Sequence, residues 1–116
     1  MSASRSTLEI TTRETPEARI LELDGRLDSD GAGVAEAPLL ALLDGRAIVL
    51  VDLAKVVFVG SAGLRVIIKA AKQMKAAGGI LKFCGASAGV AKVFEISGLD
   101  SLLDLHDDAT SALQSP

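Results

Sequence analysis

The chain has 116 residues, 49% of them apolar, a formal net charge of -3, no Trp or Tyr and three Phe. That length suits one domain around one hydrophobic core, and the apolar content excludes a disordered polymer. The weak net charge and the scarcity of aromatic rings argue against nucleic-acid binding and against attraction to an anionic membrane.

The single cysteine, Cys84, excludes an internal disulfide and fits a reducing compartment. The opening MSASRSTLEI lacks the apolar core of a secretory signal. No apolar run approaches the ~20 residues of a membrane span. A soluble, cytoplasmic protein is expected, with no direct membrane insertion.

Met1 to Ser6 is polar and reads as a flexible lead-in to a single domain over 7–116. Thr7 to Thr12 is short and β-favouring, and Arg19 to Leu23 alternates apolar and polar as a half-buried strand does. The Thr-Pro-Glu between them predicts a hairpin. A turn-rich GRLDSDGAG follows, with Ser29 or Asp30 as the expected N-cap of a helix over 31–44. Its expected buried side is Val34, Leu39, Leu42 and Leu43, with Pro38 marking a kink or a later start and Gly45 as the stop.

Ala47 to Leu53 reads as a strand covered on both faces. After Lys55 to Val59 comes a serine turn, then a helix from Ser61 to Ala77 with Leu64, Ile67, Ile68, Ala71 and Met74 on one face. Arg65, Lys69, Lys72 and Lys75 form its basic outer side, and Gly78 and Gly79 stop it. Ile80 to Cys84 is a strand, and Gly85 and Ala86 a turn. Ser87 to Ser97 is a helix burying Val90, Val93, Phe94 and Ile96, ended by Gly98. Leu102 to His106 reads as a last strand and Asp107 to Leu113 as a last helix, with Asp107 or Asp108 near its positive end. The order β-β-α-β-α-β-α-β-α predicts an α/β domain: a small mixed sheet of four to five strands flanked by about four helices.

Few residues offer chemistry. Ser61 sits where a strand turns into a helix, and two readings stand there. Its oxygen caps the helix, or it is an acceptor of phosphate, which a helix start holds through free N–H groups and a partial positive charge. A hydrolase elbow needs Gly two residues before the serine, where Val59 stands, and the only histidine is His106. No phosphate-binding loop is present, since Gly31 and Gly33 lack the third glycine. Cys84 and His106 do not make a metal site alone. Neither a catalytic residue nor a cofactor is expected.

Val57-Phe58-Val59-Gly60-Ser61-Ala62-Gly63-Leu64-Arg65 resembles the central motif of the STAS family, and more closely that of its small bacterial anti-sigma factor antagonists. Gly25-Arg26-Leu27-Asp28 resembles the family's turn before helix 1. Phe94-Glu95-Ile96-Ser97-Gly98-Leu99-Asp100 resembles its helix-end signature. Gly60 stands where many members carry Asp or Ser.

The resemblance implies a switch rather than an enzyme. The unmodified form would bind a serine-kinase anti-sigma factor and free the sigma factor. The kinase would use ATP to phosphorylate Ser61 and end binding, and a serine phosphatase would restore it. The partner surface would comprise Asp28, Gly60, Ser61, Ala62, Gly63, Leu64, Arg65 and Lys69. The alternative role for such a domain is a constitutive binding subunit of a lipid-transport ATPase or of a signalling assembly.

Overall fold

The computed structural model describes residues 8–43 and 47–114. The expected lead-in at 1–6 and the stop at Gly45 lie outside the described residues. The elements are β1 (Leu8–Glu14), β2 (Arg19–Leu27), α1 (Ser29–Leu42), β3 (Ile48–Val59), α2 (Ser61–Ala76), β4 (Ile80–Cys84), α3 (Ala88–Ser97), a 3₁₀ turn (Leu99–Ser101), β5 (Asp104–His106) and α4 (Ala109–Gln114). The strands form one mixed sheet in the order β1-β2-β3-β4-β5. The β1–β2 hairpin is antiparallel, and β2 to β5 pair in parallel across their helical connections. The expected element order and the mixed sheet both hold.

The sheet buries two unequal faces. One carries Leu21, Leu23, Val49, Val51, Leu53 and Phe83 into a core shared with α1, α2 and α3. The other packs Ile20, Leu50 and Cys84 against Ala112 of α4. The alternation of β3 between the two cores explains its unbroken apolar run. Lys82 lies on the α4 side, buried, and its ammonium donates to the Ala112 carbonyl at 2.8 Å.

Several local expectations are corrected. The N-cap of α1 is Asp28, one residue before Ser29 and two before Asp30. Its buried side is Gly31, Ala32, Ala35 and Leu39, whereas Val34 is 53% exposed. Small residues let α1 lie close to its neighbours, which turns Val34 outward. Pro38 stays inside the helix, on its exposed side.

The buried side of α2 is Gly63, Val66, Ile67, Ala70 and Met74, with Leu64, Ile68 and Ala71 half-buried along one flank. The stripe is rotated because α2 packs on α1 as well as on the sheet. Ile96 is 76% exposed and Val93 half-buried, leaving Val90 and Phe94 to anchor α3. Ser87 caps α3 through the Val90 N–H. Leu102 and Leu103 precede the last strand, because the Gly98 turn leads first into the 3₁₀ segment. Asp108, not Asp107, accepts from the first turn of α4, at Ser111 N–H.

Candidate phosphate-acceptor and docking site

The length of β3 builds the site. Its ladder to β4 ends at Asp52↔Cys84, but its ladder to β2 runs on to Leu27↔Val59. Two irregularities in that extension, between Glu22 and Asp24 and between Gly25 and Arg26, coil the pair. The strand expected over 47–53 therefore runs on through Lys55 to Val59. The Gly60 N–H then donates to the Leu27 carbonyl at 3.0 Å. Asp28 and Gly60 follow directly, so α1 and α2 start side by side. Two motifs far apart in the sequence thus meet at one projecting end.

The start of α1 is closed. Asp28 Oδ1 accepts from Gly31 N–H at 2.8 Å, and the Asp28 carbonyl accepts from Ala32 N–H at 2.8 Å. Its other carboxylate oxygen accepts from Arg26 Nε at 3.3 Å, and the Arg26 guanidinium lies 4.5 Å over the Phe58 ring. The Gly31 N–H holds the Asp28 carboxyl below its ordinary value, against the opposing effect of burial and with help from Arg26.

The start of α2 is open. Its N-cap is Gly60, which has no side chain to cap with. Ser61 is the first residue inside the helix, and its side chain is exposed. No hydrogen bond engages its hydroxyl among the described residues. The expectation that Ser61 caps α2 is therefore corrected. A capping oxygen comes from the extended residue before the first helical one, and Gly60, at φ -102 and ψ -174, holds that place. The N–H groups of Ser61, Ala62 and Gly63 have no acceptor among the described residues, and the first turn of α2 contains no acid.

Gly63 is buried for a steric reason. A Cβ there would lie 2.5 Å from the Leu27 carbonyl oxygen and 2.7 Å from Leu27 Cβ. Glycine thus lets α2 press against the end of β2. Of the other residues expected at the site, Arg65 and Lys69 are exposed, while Asp28, Gly60, Ala62 and Leu64 are half-buried. Lys69 pairs with Glu36 of α1. Arg65, one turn beyond Ser61, has no ion pair among the described residues. Arg26 and Phe58 join the site by contacts that no sequence spacing announces.

A nucleophilic relay is excluded by distance. His106 is in register with Cys84, which is in register with Asp52, and Ser61 lies nine residues beyond Asp52. At about 3.3 Å per residue, that is roughly 25 Å or more along β3. His106 Nε2 instead lies 2.7 Å from Asp104. The Cys84 thiol is pushed up to about 12, first by burial and then by the Asp52 and Asp108 carboxylates, so it stays protonated and inert at neutral pH. Among the described residues no group of three His, Cys, Asp or Glu is placed to hold a metal, and no helix is long and apolar enough to cross a membrane.

Comparison with known proteins agrees with this geometry. The family model for the STAS domain matches residues 9–112. A relative from Bordetella bronchiseptica that carries the name "Putative anti-sigma factor antagonist BtrV" is 37% identical over 91 residues, 78% of each chain. An anti-sigma factor antagonist from Mycobacterium paratuberculosis superposes with TM-score 0.85 at 20% identity, over 98% of this chain and 97% of that one. SpoIIAA in its unphosphorylated form superposes with TM-score 0.70 at 19% identity, over 86% of this chain and 90% of that one. The phosphorylated form of the Bacillus protein gives TM-score 0.65 at 18% identity, over 86% and 93%. The chain belongs to the STAS-domain family and, within it, to the anti-sigma factor antagonists.

Proposed function

We propose that this protein is a phosphorylation-controlled antagonist that binds a serine-kinase anti-sigma factor through the end of the sheet bearing Asp28 and Ser61. The observation that carries the proposal is the open start of α2. An exposed hydroxyl stands there beside three free N–H groups, with no competing side chain. The residues flanking the hydroxyl in the chain are small or apolar: Gly60, Ala62 and half-buried Leu64, with exposed Phe58 near the end of β3. Phosphate would bring about -1.5 to -2 charges into that surface, which a close-packed partner would have to desolvate. The fold itself would accept the phosphate, because the helix start and Arg65 one turn on both favour an anion.

Membership among the anti-sigma factor antagonists supports the class of partner. That SpoIIAA has been solved in both states supports the kind of switch. The protein then acts by binding, while the kinase supplies the ATP chemistry and a serine phosphatase reverses it.

The test is capture from the native cells with Ser61→Ala and Ser61→Asp as paired baits. A serine-kinase anti-sigma factor retained by the first and lost by the second is the expected result. The same partners on both baits, or a transporter ATPase on both, would overturn it in favour of a constitutive binding subunit.

A further inference from the structure

At the far end of α2 from Ser61 lies a groove of about 370 Å³ between that helix and the segment joining α3 to β5. Its floor is apolar, made by Ile68, Ala71, Leu81, Phe83 and Leu103. Leu102 stands at its lip and is 77% exposed, the highest value among the large apolar residues described. The two rims carry opposite charge. Lys72 and Lys75, both exposed, line the α2 rim without an ion pair among the described residues. Exposed Asp104 lines the other rim.

We infer that this groove takes a second copy of the same chain, related by a two-fold axis running along it. Such an axis sets the same patch against itself, so each rim meets the opposite rim of the other copy. The lysine rim of each copy then faces the aspartate rim of its mate. Leu102 of each leaves water for the apolar floor of the other. A knob beside its own hole, between rims of opposite sign, is what self-pairing requires; a small ligand needs no protruding leucine.

One groove with a single protruding leucine is a small contact, so a weak dimer is expected, with Kd on the order of 100 µM. The groove begins at Ile68, seven residues and about 10 Å along the helix from Ser61, so pairing leaves Ser61 itself uncovered.

Sedimentation of the full chain from about 10 µM to about 1 mM tests this; raised salt should weaken the association. Leu102→Asp should leave a monomer throughout, and its exposure means the fold survives, as circular dichroism would check. Lys75→Glu and Asp104→Lys should each weaken the dimer about tenfold, and the double variant should restore it, because that pair of charges is then exchanged across the axis. A wild-type monomer over the whole range would overturn the inference and leave the groove to a different occupant. So would an association that Leu102→Asp does not change, or a double variant no tighter than the single ones.

Discussion

Two helix starts lie side by side in this molecule and are built in opposite ways. At α1, Asp28 fills the free N–H positions, and Arg26 takes up its remaining charge. At α2, Gly60 provides nothing, and the exposed Ser61 is the first helical residue. α3 and α4 follow the first pattern, with Ser87 and Asp108. The helix left open is the longest, at 16 residues, and among those best anchored by burial, so it forms without a cap. Stability is thus supplied by packing at α2 and by capping at α1. The contrast leaves one anion-favouring helix start vacant beside a hydroxyl.

The largest effect expected from this contrast is on binding. Ser61→Asp should weaken the anti-sigma partner on the order of 100-fold, as a charge forced into a close interface does, while the melting temperature holds. Isothermal titration with the captured partner reads it, and an affinity within threefold of wild type would break the comparison.

Next comes the packing that stands in for a cap. Gly63→Ala should destabilise the fold by about 2 kcal/mol in chemical denaturation, because the added carbon meets the Leu27 backbone. A loss under about 0.5 kcal/mol would mean that α2 is free to shift.

At α1, Asp28→Ala should lower the melting temperature and Asp28→Asn should hold it, since an asparagine side chain also caps. The folded Asp28 carboxyl lies below its unfolded value, so its contribution is present above about pH 4 and is lost as pH falls through the folded value. The Asp28→Asn variant should lack that acid dependence. An acid limb in that variant like the one in wild type would transfer the effect to another carboxylate.

The smallest effect is the most pointed. Ser61→Ala should change stability by less than about 0.5 kcal/mol, because no hydrogen bond holds the hydroxyl. A loss near 1 kcal/mol would restore the capping role.

The element order and the mixed sheet are legible in the sequence because apolar periodicity and glycine stops report them directly. Ile80–Cys84 matches its expected bounds, and Gly78 and Gly98, at φ +78 and +80, stop their helices as read. Helix faces are less legible. Val34 and Ile96 look like core residues by type, but tertiary packing turns both outward, burying Ala35 in α1 and leaving Val90 and Phe94 to anchor α3. The candidate site is half legible. The motif locates Ser61 and Asp28, yet their adjacency depends on the register Leu27↔Val59. The Arg26–Phe58 stack and the Gly63 approach to Leu27 depend on the same register. The cap of α2 escapes a sequence reading because one residue separates a capping position from a helical one.

The most direct test needs no partner. With phosphoserine placed at position 61, a phosphorus NMR titration reads the second ionisation of the phosphate. An open helix start should hold the dianion, giving a value below the ~6 of a free phosphoserine, with the melting temperature maintained. A value at or above ~6, or a phosphoprotein that melts early, would contradict the account that α2 is left uncapped to receive the charge.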